Sequence, residues 1–408
     1  MTDSELRRSG FKEKTRVDAA RERLRERCSA HGRTTTLSIG EADGRVLAEA
    51  VTAHRDVPHY ARAAMDGYAV RAEDTFGASD RSPEVLSRAE RGGPGGAVRV
   101  HTGSELPEGC DSVVMIEQVE ELGTEIEVFD AVAEGENVGP VGEDVESGQA
   151  LYEPGHRIRP SDLGLLKSVG IREVEVGERP TVGVVPTGEE LVQADPDSGE
   201  IIETNGLTVS GLVRRWGGLP TYRRVVTDDH DALRAAIQRD LTKDVIVTTG
   251  GSSVGERDLI PEVVSEIGEV LVHGVALKPG HPVALGIVEE TPVLMLPGYP
   301  VACIVNAVQF LRPLLSWVSG AEPPATPTVA ATLTRKIRSE PGTRTFARVS
   351  LEESEDGGAD RIATPTRASG AGVLSSVALA DGWVVVPEGR EGYDEGERIG
   401  VELWEWSA

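Results

Sequence analysis

The sequence predicts a multidomain protein in which a central parallel α/β domain is combined with several small β-rich domains. At 408 residues with 39% hydrophobic residues, the chain can form about three or four domains of roughly 100–150 residues. From residue 179 onward, strands rich in β-branched residues alternate with helical segments, which is typical of a parallel sheet with right-handed crossovers. Before and after that region the strands are short and separated by many turns, which favours separate β-domains.

The N-terminal part of the chain combines a helix with extended segments. Residues 11–29 place apolar residues on one face of an Arg- and Glu-rich helix. Residues 35–52 alternate apolar and polar residues around Gly44, which predicts a short hairpin. Short strands and many turns follow, and they predict an inserted β-rich domain over residues 53–134.

A second segment with few apolar residues follows this insertion. It contains one predicted helix, which begins at Pro160 and Ser161 and ends at Gly170. Neither this segment nor the N-terminal one has enough apolar residues to form a core alone. We therefore predict that residues 1–52 and 135–177 form one discontinuous N-terminal domain.

The α/β domain is predicted over residues 178–320, with helices at 206–216, 230–240 and 258–267. The most apolar stretch of the chain, Val301–Trp317, is interpreted as a buried helix. Breaks at Pro297–Pro300 and Arg312–Pro313 should keep it short of the ~20 residues that a membrane span needs. We therefore predict no membrane association.

The segment AEPPATP after Gly320 has the composition of a linker. Beyond it the sequence returns to strand-like alternation with Gly-rich turns, in stretches such as RTFARVSLE and GWVVVPEG. A separate C-terminal β-domain is therefore predicted over residues 326–408.

Charge and cysteine content exclude several classes of function. The formal net charge is −26, with 68 acidic against 42 basic residues. The simplest explanation of this net charge is an acidic protein surface with more Arg than Lys. Because the electric field of such a surface repels phosphate backbones, no nucleic-acid partner is expected. Cys28, Cys110 and Cys303 form no C-x-x-C pair, which indicates a reducing compartment and no cysteine-based zinc site. Because the N-terminus lacks the apolar core of a signal peptide, we expect a cytoplasmic protein.

Three loops at the predicted carboxyl edge of the sheet are candidates for ligand binding. They are PTGEEL at 186–191, TTGGSSVGERD at 248–258 and LPGYPVA at 296–302. Ligands of open α/β sheets bind at this edge, and the glycines and serines of the second loop are suited to an anion at a helix N-terminus. That loop is neither G-x-G-x-x-G nor a P-loop, and a plain tight turn remains the alternative. For the third loop, a helix-start turn and a rigid wall against a ligand are both open.

Two further stretches carry charge in otherwise apolar surroundings. LKPGHP at 277–282 places Lys278 and His281 around a Pro-Gly turn, which suits an anion, although a solvated turn is the simpler interpretation. ARAAMDGYAV at 61–70 places Asp66 before Gly67, a pair that usually marks a hairpin turn.

Taken together, these stretches resemble the MoeA family of molybdopterin molybdenumtransferases, which also supply the C-terminal domain of gephyrin. The matching blocks occur in order along nearly the whole chain: AMDGYAV at 64–70, HTGSELPEGCDSVVMIE at 101–117, GENVGPVGED at 135–144, PTGEEL, TNG at 204–206, TTGGSSVGERD, KPGHP and LPGYPVA. The resemblance implies a MogA/MoaB-like molybdopterin-binding α/β domain, a discontinuous N-terminal domain, an inserted β-domain and a C-terminal β-domain. It also implies a homodimer with its active site in a cleft to which both chains contribute.

The reaction implied by the resemblance inserts molybdenum from molybdate into adenylylated molybdopterin and releases AMP with the help of Mg²⁺. A cation that bridges a pyrophosphate needs oxygen ligands, which explains carboxylates beside a phosphate loop. The implied catalytic residues are Asp66, Asp144, Glu190, Asp228, Asp258 and Lys278, with Asp66 and Asp258 as metal ligands. For Asp228, capping of the following helix is an equally good explanation.

The resemblance also implies two sets of binding residues. The pterin-nucleotide set is Thr102, Thr187, Gly188, Asn205, Gly250, Gly251, Ser252, Ser253, Pro279, Gly280, Pro297, Gly298 and Pro300. The molybdate set is Lys278, His281, Arg344 and Ser375.

The chain departs from the family pattern at the expected oxyanion pocket. His281 replaces the second lysine of KPGKP, and Tyr299 and Ala302 replace Asn and Ser of LPGNPVS. Because histidine is only partly charged near neutrality, oxyanion affinity should depend on pH. A tungstate-selective paralogue, a molybdopterin adenylyltransferase and a non-catalytic, gephyrin-like scaffold remain alternatives.

Overall fold

The computed structural model describes residues 14–250, 259–353, 361–366 and 372–405. The chain divides into two compact units, Met1–Thr35 with Gly177–Ala408, and Thr36–Val176. The four-part domain boundaries drawn from the sequence stay predictions.

The unit Thr36–Val176 is built mainly of short strands. They are β1 Thr34–Ser38, β2 Val51–Thr52, β3 Arg62–Ala63, β4 Gly67–Val70, β5 Glu84–Arg88, β6 Gly96–Val100, β7 Ser112–Met115, β8 Val119–Leu122, β9 Glu125–Val128, β10 Val138–Gly139, β11 Ala150–Tyr152 and β12 Glu173–Gly177. Six of them form a sheet in the order β7-β4-β6-β5-β9-β8, and β1–β12, β2–β11 and β3–β10 form two-stranded pairs. Tyr68, Val114 and Ile126 are fully buried in the core of the large sheet.

The hairpin predicted over 35–52 is wrong. The turn at Gly44 exists, with a φ of +70°, but the strands on its two sides pair with distant partners instead of each other. β1 pairs with β12 and β2 with β11, because residues from the second half of this unit complete the small core. The period-two pattern identified extended backbone, and it carried no information about the partner strand.

The helix of this unit, α2 Pro160–Ser168, has the predicted ends. Pro160 occupies the first turn, where its missing N–H costs no hydrogen bond, and Gly170 adopts a φ of +89° just beyond the helix. Asp162 in the first turn accepts hydrogen bonds from the backbone N–H and guanidinium of Arg159.

The other unit contains the α/β domain. After α1 Val17–Glu26, its elements are β13 Thr181–Pro186, β14 Leu191–Val192, β15 Ile201–Ile202, α3 Asn205–Arg215, β16 Leu219–Tyr222, α4 His230–Arg239, β17 Val245–Thr249, α5 Leu259–Ile267, β18 Glu269–His273, β19 Leu277–Lys278, β20 Ala284–Val288 and β21 Thr291–Leu296. The main sheet has the order β16-β13-β17-β21-β20-β18. β16, β13, β17 and β21 are parallel, whereas β20 and β18 continue the sheet in antiparallel pairs. The sheet is therefore mixed rather than purely parallel.

The apolar stretch near residue 300 forms one continuous buried helix, as predicted, but it is not interrupted at Arg312–Pro313. α6 Pro300–Asn306 leads through a π-helical turn, Ala307–Leu311, into α7 Arg312–Val318. The wider turn precedes Pro313, whose ring would clash with a carbonyl in regular α-helix. By length and composition Pro300–Val318 could cross a membrane, but it lies wholly buried in this unit, and core helices meet the same criteria.

The C-terminal part of this unit forms a small closed barrel. Its elements are β22 Thr328–Leu333, β23 Ile337–Arg338, β24 Arg344–Glu352, β25 Arg361–Pro365, α8 Ser375–Ala378, β26 Gly382–Val386, β27 Gly392–Tyr393 and β28 Arg398–Glu402. The pairings β24–β25–β22–β28–β26–β24 return to the first strand and close the ring. β19 adds to β24 in parallel, so the KPGHP segment is attached directly to the barrel.

Candidate active site

The carboxyl ends of β13 and β17 carry three buried threonine hydroxyls. The side-chain oxygens of Thr187, Thr248 and Thr249 are buried and have no hydrogen-bond partner among the described residues. Buried hydroxyls are normally paired, because an unpaired one costs about 1–3 kcal/mol. Thr248 and Thr249 are successive residues of β17, so their side chains lie on opposite faces of the sheet, but all three hydroxyls lie at the edge where α/β domains bind ligands.

Gly250 directly follows Thr249, and only glycine fits at this position. It adopts a φ of +116°, and a Cβ at this position would lie 2.1 Å from the Thr187 carbonyl oxygen. The neighbouring Gly188 also has a positive φ, of +148°, and its N–H donates to the Val226 carbonyl at 3.1 Å. Both glycines therefore bring bare backbone to the same edge.

The TNG and PGYP segments meet beside this edge. The Asn205 side-chain amide donates to the Gly298 carbonyl at 2.7 Å. A Cβ on Gly298 would lie 3.5 Å from the Cα of Gly250, so the second and third candidate loops are in contact. Pro297 is buried and Pro300 opens α6, which confirms the helix-start interpretation of this motif.

Asp228 and Glu190 lie close together next to this edge. The pKa of Asp228 is raised, first by burial and then by the charges of Glu190 and Glu189. Its Oδ1 is buried without a hydrogen-bond partner among the described residues. Capping does not explain Asp228, because Asp229 caps α4 by accepting from the Ala232 N–H at 2.9 Å. Asp228 is thus a half-buried carboxylate that does not cap the helix, although it accepts a hydrogen bond from the Glu189 backbone N–H.

Part of the predicted site falls outside the described residues: Gly251, Ser252, Ser253 and Asp258.

Three predicted residues lie in the unit Thr36–Val176. Asp66 Oδ1 accepts hydrogen bonds from the Thr102 backbone N–H at 2.7 Å and from its hydroxyl at 3.0 Å, so the structure brings these two together. These bonds, chiefly the backbone one, lower the pKa of Asp66. The exposed Asp144 side chain makes no hydrogen bond or ion pair within the described residues.

The hairpin-turn interpretation of Asp66–Gly67 is wrong. Gly67 is the first residue of β4, and a Cβ there would lie 1.9 Å from the Val114 carbonyl oxygen of β7. Close approach of two backbones requires this glycine, and Asp66 is thereby placed at a strand end with its carboxylate exposed.

The predicted oxyanion residues fall into two clusters. In the first, Lys278 donates to the Glu340 carboxylate at 2.9 Å, and His281 lies nearby. The pKa of His281 is lowered, first by burial and further by the charges of Lys14 and Lys278, while Glu340 opposes the shift.

The loop that carries Lys278 is fixed by a buried amide. Gly280 has a φ of +112°, and its carbonyl accepts from Asn306 Nδ2 at 2.9 Å. The same Nδ2 donates to the Ala302 carbonyl at 2.8 Å, so Asn306 joins the loop around Pro279 to α6.

Arg344 belongs to the second cluster. Its guanidinium makes two hydrogen bonds to Asp18, at 2.9 and 2.6 Å, and one to Glu388 at 3.1 Å. The register of β19 with β24 explains the separation, because Arg344 pairs with Leu277 and Lys278 with Thr345. Successive side chains of a strand point to opposite faces, so the two cations are directed apart. Ser375 is exposed at the start of α8.

Several residues at this edge were missed by the sequence argument. Glu203 is buried, accepts from the Gly206 N–H at 2.6 Å and is hydrogen-bonded by the Tyr222 hydroxyl. Thr248 and Thr249 belong to a predicted binding loop but were not predicted as site residues, and Asn306 was predicted only as part of a buried helix. The sequence signal that could have identified Thr248, Thr249 and Asn306 is a polar side chain inside an apolar run.

The edge fits a magnesium ion that takes most of its ligands from a substrate. No group of three His, Cys, Asp or Glu side chains that could hold a metal lies together in the described part of the chain. Mg²⁺ in nucleotide sites, however, is commonly bound by one or two carboxylates plus phosphate oxygens and water. The unpartnered Oδ1 of Asp228, with Glu190 beside it, meets that requirement.

Comparison with known sequences agrees with this geometry. The MoeA N-terminal region (domains I and II) matches residues 15–170, a probable molybdopterin-binding domain matches 183–317, and the MoeA C-terminal region (domain IV) matches 330–404. A putative molybdopterin biosynthesis protein of Methanocaldococcus jannaschii is 36% identical, covering 94% of this chain and 95% of the relative. The chain belongs to the MoeA family.

Other members of the family support the same assignment. A molybdopterin molybdenumtransferase of Bacillus subtilis is 32% identical, covering 92% of this chain and 93% of its own. The crystal structure of a molybdopterin biosynthesis MoeA protein from Pyrococcus horikoshii superposes with a TM-score of 0.83 at 31% identity, over 96% of this chain and all of that one. The multidomain MoeA architecture predicted from the sequence is confirmed. Membership places this MoeA protein among the transferases of molybdenum cofactor biosynthesis, with a molybdopterin-related substrate.

Proposed function

We propose that this protein inserts molybdenum from molybdate into adenylylated molybdopterin and releases AMP. The observation that carries the proposal is the set of groups at the carboxyl edge of β13 and β17. Three buried hydroxyls without partners among the described residues, a glycine that admits no side chain and a half-buried carboxylate lie at this edge. A pyrophosphate-linked substrate would supply the acceptors that the hydroxyls lack and the charge that a bound cation needs.

In this proposal Thr187 and the glycines hold the phosphates, and Asn205 sets the width of the site. The hydroxyl of Thr187, which lies beside Gly250, donates to a phosphate oxygen, and the bare backbone at Gly250 allows close approach. Because Asn205 links the start of α3 to the Gly298 carbonyl, it fixes the distance between two walls of the site.

Magnesium would be held by Asp228, with Glu190 next to it. When bound, it neutralises phosphate charge and stabilises the leaving phosphate oxygen. Asp66, Asp144 and Asp258 are the further carboxylates that we assign to the reaction from the family resemblance. The homodimer implied by that resemblance is part of the proposal.

Molybdate would approach the cluster of Lys278 and His281, whose charges suit a tetrahedral dianion. Arg344 is held by Asp18 and Glu388, so an oxyanion that binds it must displace one of these carboxylates. The exposed Ser375 hydroxyl is assigned to the same substrate.

Asp66→Asn is expected to lower the rate of molybdenum insertion by about a hundredfold or more without a change in fold. Its carboxylate is exposed and ionised, and Asn keeps an oxygen that can accept from Thr102 while removing the charge. The measurement is molybdenum incorporated per protein from adenylylated molybdopterin and molybdate. Asp56→Asn is the matched control, because Asp56 also accepts from a backbone N–H, that of Ser147 at 2.8 Å. Wild-type activity in Asp66→Asn would remove this residue from the site.

His281→Lys is expected to flatten the pH dependence of molybdate affinity. Since the pKa of His281 is lowered by burial, the imidazolium loses its proton below the usual value of ~6.5, and affinity should fall between about pH 5 and 7. Lysine stays charged over this range. Molybdate titrations across the range measure the effect, and identical profiles for wild type and variant would exclude a role of His281 in oxyanion binding.

A further inference from the structure

Glu203 is a buried carboxylate that lies two residues before α3 and has no part in the reaction steps given above. Its side chain is 6% exposed. Within the described part of the chain it forms no ion pair and accepts two hydrogen bonds, one from a backbone N–H and one from a hydroxyl. Because burying an unpaired carboxylate is costly, these two bonds are what keep its charge in place.

The first of these bonds caps α3. The residue at the usual cap position, Thr204, makes no side-chain cap hydrogen bond. Glu203 accepts from the Gly206 N–H at 2.6 Å in its place. The first N–H groups of a helix lack partners within the helix, and a carboxylate there also interacts favourably with the helix dipole. The bond therefore fixes the first turn of α3, which begins with Asn205.

The second bond attaches this turn to the sheet. Glu203 accepts from the hydroxyl of Tyr222, the last residue of β16. Burial, and then the bond to Glu203, raise the pKa of Tyr222, so its hydroxyl keeps its proton and donates. A Cβ on Gly206 would lie 2.5 Å from the Tyr222 ring and 2.8 Å from Pro186, the last residue of β13. The start of α3 thus packs on the ends of both strands as closely as a glycine allows.

Asn205 connects this anchored turn to the opposite wall of the site. Its amide donates to the Gly298 carbonyl at 2.7 Å, and a Cβ on Gly298 would lie 3.5 Å from the Cα of Gly250. Because Glu203 is buried behind the turn, its effect on a substrate at this edge passes through Asn205.

We propose that Glu203 is a positioning residue of the substrate site, which holds the first turn of α3 so that the Asn205 amide stays against the Gly298 carbonyl. This inference rests on the proposed function, because it places the pterin-nucleotide beside Asn205. The contacts that Asn205 sets are made in the ground state and in the transition state alike. Loss of Glu203 should therefore lower substrate affinity with little change in the rate at saturation.

Calorimetric titration with adenylylated molybdopterin in the absence of molybdate tests this role, together with KM and kcat of molybdenum insertion. Glu203→Ala should weaken binding and raise KM about tenfold, while kcat stays within about twofold of wild type. Glu203→Gln keeps an oxygen for the Gly206 N–H and should restore affinity to within about threefold of wild type. Glu121→Ala is the matched control, because Glu121 also accepts from a tyrosine hydroxyl, that of Tyr68 at 2.7 Å, and this variant should keep wild-type affinity.

A double-mutant cycle with Asn205→Ala separates positioning from a general structural role. Since Glu203 acts through Asn205, adding Glu203→Ala to Asn205→Ala should weaken binding by less than about twofold more. Should Glu203→Ala not fold, as judged by circular dichroism, Tyr222→Phe replaces it, with an expected loss of about threefold alone and none beyond Asn205→Ala.

Unchanged affinity in the folded variants, a loss in kcat alone, or losses that multiply in the cycle would overturn the inference. Wild-type protein that binds adenylylated molybdopterin without inserting molybdenum would contradict the proposed reaction alone. The binding measurements would then still decide the role of Glu203.

Discussion

Asp228→Asn is expected to lower the rate of molybdenum insertion by at least about a hundredfold and, at neutral pH, to raise the melting temperature. The loss of rate follows from the removal of a half-buried carboxylate that we assign to the cation at the β13–β17 edge. The gain in stability follows from its raised pKa, caused first by burial and then by Glu190 and Glu189. A carboxyl whose folded pKa is raised loses stability as pH rises from its unfolded pKa through its folded one. The neutral amide avoids this penalty.

Asp229→Asn is the matched control for this experiment. It removes the same charge one residue away, and asparagine caps helices as well as aspartate does. The Asp229 variant should therefore keep near wild-type rate and stability. Insertion by Asp228→Asn within threefold of wild type would exclude Asp228 from the reaction, and a lower melting temperature would contradict the raised pKa assigned to this carboxylate.

Asp162→Ala is expected to destabilise the unit Thr36–Val176 by about 1–3 kcal/mol, since it removes a buried acceptor that several partly exposed side chains share. Asp162 is almost fully buried and accepts from Arg159, from the His156 ring at 2.7 Å and from the Tyr152 hydroxyl at 3.1 Å. Urea unfolding followed by circular dichroism measures the effect. Asp80→Ala, at an exposed position of the same unit, should change stability by less than about 0.5 kcal/mol.

The contribution of Asp162 should also disappear in acid. Burial by itself would raise its pKa, but the hydrogen bonds from Arg159, His156 and Tyr152 prevail and lower it. A group with a depressed folded pKa stabilises above its unfolded pKa, and this stability is lost as pH falls below about 4. The wild type and Asp162→Ala should therefore converge in stability at low pH. A constant difference from neutral to acidic pH would contradict the assigned pKa shift.

The local sequence pattern predicted most helices and strands of the fold. The strands Thr181–Pro186 and Arg344–Glu352 and the helix Pro160–Ser168 lie where β-branched runs and Pro and Gly signals placed them. The same pattern could not predict which strands pair when they lie far apart in the sequence. β1 and β2 lie on the two sides of Gly44, but their partners are β12 and β11, in the second half of the same unit.

The candidate site, too, was predicted by local motifs in part and depends in part on long-range structure. Ordered motifs identified the segments that meet at the sheet edge, including Asn205 with Gly298, and, in the unit Thr36–Val176, the contact of Asp66 with Thr102. The sequence could not show that Asp229 rather than Asp228 caps α4, since both precede the helix. It also could not show that Lys278 and Arg344 are directed apart, because that depends on the register of β19 with β24.

The central claim is best tested by incubating purified protein with adenylylated molybdopterin, molybdate and Mg²⁺, and measuring both protein-dependent AMP release and molybdenum bound to the pterin product. We expect the two to appear together, about one AMP for each molybdenum inserted, and both to be lost in Asp228→Asn. Hydrolysis to AMP without molybdenum incorporation, or incorporation that does not require the adenylylated substrate, would contradict it.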